Sequence, residues 1–208
     1  MLSAPTWWQA PRLPGFDLGS GKPSSKRHIG ASPRPTGEAP VATRALFATG
    51  PLEATRIARA RHPLFDGTGA ALNGARWNRK GQYVIYAATS YAGALLEILV
   101  HSNLGRVPRG FASIQIRVPA DVLIEELNPQ DLPGWDHPGG EISRAWGSRW
   151  YEEMRSAVAL VPSVPSGGIE PNVLIHQRHP DFSKITASEP TPVRWDKRLF
   201  SAQRRGHQ

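Results

Sequence analysis

The sequence predicts an α+β domain in which short strands are interleaved with two or three helices. Apolar residues alternate with period two in several short runs, most cleanly over residues 111–118, as a half-buried strand requires. Two other stretches, residues 91–101 and 143–156, carry apolar side chains at helical spacing. The 208 residues include 20 prolines and 20 glycines, so turns are frequent and elements short, while 39% hydrophobic residues suffice for a core. That length fits one ordinary domain with an extension.

Residues 1–44 read as a poorly ordered, basic, proline-rich extension. They hold seven prolines, and six basic against two acidic residues supply half of the formal charge of +8. Trp7 and Trp8 are its only large aromatic pair. The folded domain is expected over residues 45–203, followed by a short tail at 204–208.

Within the domain, residues 55–58 read as a first short strand that ends before His62-Pro63, because the residue before proline is pushed out of helical space. Asp66-Gly67-Thr68-Gly69-Ala70 reads as a loop. Gly74-Ala75-Arg76-Trp77-Asn78 and the turn Arg79-Lys80-Gly81 lead into a β-branched and aromatic strand over residues 83–86. Ser90 is the expected N-cap of a helix over residues 91–101. On a helical wheel Tyr91, Leu95, Ile98 and Leu99 share a core face, and Glu97 lies nearly opposite Leu95 beside Gly93 and Ala94. Those small neighbours leave room against the carboxylate.

Residues 122–127 read as a short strand or turn, and 128–140 as a Pro/Gly loop carrying Trp135. Trp146, Trp150, Tyr151 and Met154 give the 143–156 helix its apolar side. Residues 158–163 form a strand that ends at Ser163, and residues 172–176 another after a glycine-rich loop. His179-Pro180-Asp181-Phe182 and residues 194–200 close the domain. No internal repeat is present.

The composition narrows the chemistry. There is no cysteine, which removes disulfides, thiolate nucleophiles and thiolate zinc sites together. No apolar run nears the roughly 18 residues that span a bilayer, and no signal-peptide core is seen, so a soluble, cytoplasmic protein is expected. The basic charge fits a nucleic-acid surface or a cleft for a phosphorylated small molecule, but Lys and Arg are scattered rather than clustered. No Walker-type loop, Gly-x-Ser-x-Gly elbow or His-Glu-x-x-His spacing occurs; His176 and His179 near Asp181 come nearest to a ligand set.

Arg76, Tyr86 and Glu97 stand out because a turn, a strand and a helix bring them within two dozen residues. A guanidinium beside glycine and asparagine suits a phosphate or carboxylate, or a structural ion pair. Tyr86 suits stacking on a flat ligand, or core packing. Glu97 suits a pocket, solvent, or pairing with His101 one turn on.

The order Gly-x-Arg-Trp-Asn, Val-Ile-Tyr, Ala-Leu-Leu-Glu and a late Val-Pro-Ser resembles the RES-domain family of bacterial toxins. Further matches are Asn172-x-Leu-Ile, His179-Pro180-Asp181-Phe182 and Asp196-Lys197-Arg198-Leu199-Phe200, so the resemblance spans roughly residues 52–203. It implies mixed, strongly twisted sheets with a few flanking helices, similar to the diphtheria-toxin-like ADP-ribosyltransferase fold. It also implies an enzyme that consumes NAD by breaking the nicotinamide–ribose bond as glycohydrolase or phosphorylase, with no metal. Transfer of ADP-ribose to a protein is the alternative within that chemistry, and a non-catalytic nucleic-acid-binding module the alternative outside it.

Carried over from the resemblance, Arg76, Tyr86, Glu97 and Ser163 are the catalytic set, with Ser166 a nearby rival for the serine. Arg56, Arg76, Tyr86 and Asn172 are the NAD-binding set. The resemblance gives Glu97 the developing sugar cation, Tyr86 the nicotinamide ring, Arg76 with Arg56 the pyrophosphate or adenosine ribose, and Ser163 the ribose or nicotinamide end. The sequence departs from the family pattern at Ala75, where a second glycine is common, and in the Gly167-Gly168 loop. The expected partner is an antitoxin with a helix-turn-helix domain, DNA being met only through it, in a complex that accommodates homo-oligomers.

Overall fold

The computed structural model describes residues 43–46, 50–101 and 107–200. The expected extension, with Trp7 and Trp8, and the tail lie outside the described residues, except that Thr43 and Arg44 belong to the first strand.

The described residues form a mixed α+β fold. Its strands are β1 (Thr43–Leu46), β2 (Leu52–Arg59), β3 (Val84–Ala88), β4 (Phe111–Val118), β5 (Ile124–Leu127), β6 (Val158–Pro162), β7 (Pro171–His176) and the two-residue β8 (Thr186–Ala187) and β9 (Thr191–Pro192). They join one sheet in the order β1-β5-β6-β7-β3-β2-β4-β8, with β9 also on β4. Only β5 and β6 run parallel. The helices are α1 (Thr68–Asn73), α2 (Tyr91–Val100) and α3 (Glu141–Glu152). No described helix is long and apolar enough to cross a membrane.

The sheet is unevenly knit. β3 pairs with β7 from Val84↔His176 to Ala88↔Asn172, and β2 pairs with β4 along its whole length. Between β2 and β3 the only pair is Thr55↔Ala88. The strands part beyond that pair, and the partly buried Arg56 lies between them, its Nη1 donating to the Tyr86 carbonyl at 2.9 Å.

Two apolar clusters hold this frame. Ile85, Ile116, Val118, Val158, Val173 and Ile175 are among the residues of the larger one. In the smaller, α2 lies on β2, β3 and β4 through Ala94, with Leu95 and Ile98 packed around Ile57, Ala88 and Phe111. Burying side chains of this size contributes roughly 1.5–3 kcal/mol each.

Several sequence expectations shift. The stretch expected as a loop at 66–70 is already helical from Thr68, with Gly67 as N-cap. The strand expected at 83–86 occupies Val84–Ala88 instead. On α2 the core face centres on Ala94, with Leu95 and Ile98 of the expected face packed beside it, while Tyr91 is 39% exposed. The helix expected at 143–156 starts two residues earlier and stops at Glu152: Met154 takes a left-handed φ of 51°, and Arg155 N–H returns to the Trp150 carbonyl. Ser156, expected inside that helix, accepts from Trp150 Nε1 at 2.8 Å and donates to the Val158 carbonyl.

α3 packs closely against the Arg76-Trp77 turn. Trp77 meets Trp146 edge to face with ring centroids 5.7 Å apart. His176 is fully buried, stacked on Tyr151 and edge-on to Trp150, and burial lowers its pKa, so the ring is neutral. The closest approach is at Gly147, where a Cβ would lie 1.9 Å from the Trp77 carbonyl oxygen. Alanine there requires the backbones to part. Overpacking usually costs about 1–3 kcal/mol, and a backbone clash belongs at or above the top of that range. Gly147→Ala is therefore expected to lower the melting temperature by roughly 6–12 °C, at about 2–4 °C per kcal/mol. Gly69→Ala, with open space around its Cβ, should leave the melt unchanged or raised.

Candidate active site

The stretch from Gly74 to Gln82 is built around a buried amide. Asn78 Nδ2 donates to the carbonyls of Ala70, Arg79 and Gln82, and its Oδ1 accepts from the Tyr86 hydroxyl at 2.7 Å. The same hydroxyl accepts from Trp77 N–H at 3.1 Å. Tyr86 thus locks the turn onto β3 with both of its hydrogen-bonding roles in use. Burial raises the pKa of its phenol, so it stays protonated and acts as a donor, not a base. Gln82 completes the lock, its Oε1 accepting from Arg79 N–H at 2.7 Å and from Ser148 of α3 at 3.0 Å.

Glu97 lies in the second half of α2. Ser90 caps that helix as expected, its Oγ accepting from Gly93 N–H at 2.9 Å. Of the readings open for Glu97, the structure takes the inward one. Its Oε1 accepts from Ser163 Oγ at 3.0 Å and from Asn172 Nδ2 at 2.6 Å. Ser163 follows β6 and Asn172 lies in β7, paired with Val161 and with Ala88. One carboxylate oxygen therefore joins three elements, and Oε2 takes no hydrogen bond from the described residues.

Ser166 does a different job. Its hydroxyl donates to the carbonyls of Ser163 and Glu170 and accepts from Glu170 N–H, which closes the loop after β6. Gly167 and Gly168, at φ of 64° and 82°, make that loop's reversal, and a Cβ on Gly168 would sit 3.1 Å from the Trp135 ring. The glycine pair that departs from the family pattern thus seats Trp135 beside the serine loop.

The arginines differ from one another. Arg56 reaches no site carboxylate: its guanidinium donates to the backbone carbonyls of Tyr86 and Asp66, and Nε has no partner. Burial pushes its pKa down to about 10, with Asp66 pulling the other way. Arg76 is only half-buried. Its Nη1 donates to the carbonyls of Trp135 (3.1 Å) and His137 (2.9 Å), and it lies within electrostatic reach of Glu97 and Tyr86. Burial, then Arg144, lowers its pKa.

A cavity of about 120 Å³ opens beside the Glu97 cluster, lined by Gly93, Leu96, Ser163, Glu170 and Asn172 among others. Pockets for drug-sized ligands run from roughly 300 Å³ upward, so this one has room for a single small ring. The space at Gly93 is already claimed: Glu170 Oε2, which accepts from Ser90 Oγ at 2.8 Å, would lie 3.0 Å from a Cβ there.

The structure thus joins Glu97, Ser163 and Asn172 directly, brings Arg76 and Tyr86 to their side, and puts Arg56 in the sheet gap. Sequence reasoning assigned no role to Asn78, Arg144 or Glu170. Asn78 carried a signal in its place between Trp77 and the turn; Arg144 and Glu170 carried none, since their neighbours come from elsewhere in the chain.

Comparison with known proteins gives the family and the fold. A family model described as RES domain matches residues 53–196. A "Prs ADP-ribosylating toxin" of Sphingobium sp. is 42% identical over 141 residues, 65% of this chain and 86% of the relative. A "Toxin Res" of Yersinia enterocolitica is 38% identical over 140 residues, 65% of this chain and 90% of the relative. Among solved structures, a chain of the M. tuberculosis MbcT–MbcA toxin–antitoxin complex superposes with a TM-score of 0.53 at 19% identity, over 69% of this chain and 87% of that one, a likeness of fold. With the family model covering most of its length and relatives of this identity matched over most of theirs, the chain belongs to the RES domain family.

Proposed function

We propose that this chain is the toxin of a toxin–antitoxin pair and acts on NAD by breaking the bond between nicotinamide and ribose. The observation that carries the reading is the Glu97 carboxylate, held by Ser163 and Asn172, both of which line the small cavity beside them. Family membership supports it, as do relatives named as toxins.

As nicotinamide departs with the bonding electron pair, the ribose becomes oxocarbenium-like, as in glycoside cleavage. A carboxylate fixed beforehand next to that carbon stabilises the charge without having to reorganise. Ser163 and Asn172 supply the fixing, because both donate to Oε1 and so leave Oε2 for the sugar or the incoming acceptor. The acceptor's oxygen then bonds to the ribose carbon, and its proton passes to the carboxylate or to solvent. Tyr86, a permanent donor, keeps the Arg76 turn in register with β3, and its ring is the flat surface offered to nicotinamide. Arg76 meets the phosphates through the donors that the Trp135 and His137 carbonyls do not use.

A second reading, transfer of ADP-ribose to a protein, is favoured by one observation: the Sphingobium relative, 42% identical, is named for ADP-ribosylating Prs. The two readings share the bond-breaking step and differ in the acceptor. Mass spectrometry of the products made with water alone, with phosphate, and with a candidate protein separates them. Cognate antitoxin, expected to carry a helix-turn-helix domain, is the proposed partner, and the solved fold neighbour comes from a toxin–antitoxin complex. Pull-down after co-expression with the neighbouring gene product tests that partner.

Purified chain incubated with NAD should release nicotinamide. Glu97→Gln keeps an oxygen to accept from Ser163 and Asn172 but loses the charge; release should fall at least about 100-fold with an unchanged circular dichroism spectrum. No release by the wild type, while a known NAD glycohydrolase works in the same tube, would falsify the enzyme reading.

The two serines should also separate. Ser163→Ala removes a hydrogen bond to a carboxylate, worth about 1.5–3 kcal/mol, so turnover should fall roughly 10–100-fold and the melting temperature by roughly 3–12 °C, at about 2–4 °C per kcal/mol. Ser166→Ala should also lower the melting temperature but leave turnover within a few-fold. The reverse pattern in turnover would move the site to Ser166.

A further inference from the structure

Arg144, in the first turn of α3, is a second cation beside Arg76. Its Nε donates to the Ala75 carbonyl at 3.2 Å and its Nη2 to the Gly139 carbonyl at 3.4 Å. Arg76 is steered in the same manner from the other side, by the carbonyls of Trp135 and His137. The two guanidinium groups converge on Gly140, where a Cβ would lie 3.5 Å from Nη2 of Arg144 and 3.5 Å from Nη1 of Arg76.

Like charges held this close repel, and part of the lowering of the Arg76 pKa comes from Arg144. A fold that needed only to fasten two side chains would set a carboxylate between them. Here neither arginine makes an ion pair with a described residue, and the carbonyls that pin them carry no net charge. Asp136 and Glu97 act on Arg76 only from beyond hydrogen-bond distance. Nε and Nη2 of Arg76 and Nη1 of Arg144 take no partner among the described residues. Both groups also lie within electrostatic reach of the Tyr86 hydroxyl, and Arg76 within that of Glu97 as well. Two guanidinium forks with donors to spare match the oxygens of a phosphoryl group, whose charge offsets theirs.

We propose that Arg144 and Arg76 together form a seat for a phosphoryl group, with Arg144 a binding residue for the substrate pyrophosphate or for free phosphate as acceptor. The link to a dinucleotide rests on the function proposed above; the seat itself does not. Arg144 binds and orients, and forms no bond to the reacting carbon.

Isothermal titration calorimetry on the full chain tests this with inorganic phosphate, inorganic pyrophosphate and ADP-ribose, using wild type, Arg144→Gln, Arg144→Lys and, as a remote charge control, Arg117→Gln. Arg144→Gln should weaken pyrophosphate binding at least 10-fold, Arg144→Lys by less, and Arg117→Gln by under 2-fold. Weakened ADP-ribose binding with phosphate unaffected assigns the seat to the dinucleotide, and weakened phosphate binding assigns it to the acceptor. Equal binding of all three ligands by wild type and Arg144→Gln, or no binding by wild type, overturns the proposal. Should Arg144→Gln fail to fold, phenylglyoxal labelling of wild type decides: pyrophosphate should slow modification of Arg144 several-fold, and absence of protection overturns the seat. None of these readouts uses NAD turnover. A chain that binds pyrophosphate through Arg144 yet leaves NAD intact would sink the proposed function and leave the seat standing.

Discussion

The constraint on which the site depends is the unequal pairing of β3. On one side it is zipped to β7 along its length; on the other it meets β2 only at Thr55↔Ala88. Where a ladder is interrupted, backbone groups need other partners, and Arg56 supplies one by donating to the Tyr86 carbonyl. Just beyond the shared pair the chain leaves the sheet at Ser90 and turns into α2. The helix is thereby fixed over the β2–β3–β4 surface with Glu97 aimed at β7 and the end of β6.

Polar side chains near this junction fall into two groups. Asn78, Gln82, Tyr86, Ser166 and Arg56 spend most of their hydrogen-bonding capacity on backbone groups or on each other, which sets the turn and the loop in place. Glu97, Arg76 and Arg144 are positioned by such bonds but not exhausted by them. Buried groups of the first kind lose their desolvation cost once paired. Groups of the second kind keep unsatisfied capacity at a solvent-reachable edge, and that capacity is what a ligand meets. Charge is also offset locally, since the Glu97 carboxylate lies within electrostatic reach of Arg76.

The fold was legible wherever a local period decided it. Phe111–Val118 alternates because one face is buried, and Ser90 reads as a cap because its hydroxyl can reach Gly93 N–H from the adjacent turn. Ends decided by contacts were less legible. Nothing local announces that Met154 turns left-handed or that Ala94, not Tyr91, touches the sheet; both follow from what α3 and α2 pack against. At the site, Arg76, Tyr86, Glu97 and Ser163 were readable as a set through resemblance in order and spacing. The partnerships among them were not: Ser163 and Ser166 look alike on the page, and only the loop's closure hands one to Glu97 and the other to the backbone.

By itself the sequence determined an α+β domain, its main strands and helices, its membership of a family, and the residue types available for chemistry. Those follow from side-chain period, turn residues and order along the chain, all short-range properties. Tertiary structure alone decided that Glu97 accepts from Ser163 and Asn172 across 66 and 75 residues of sequence, and that Arg144 stands beside Arg76. Contacts of that separation form only when the sheet order is fixed, because strand pairing rather than local propensity sets which distant residues become neighbours.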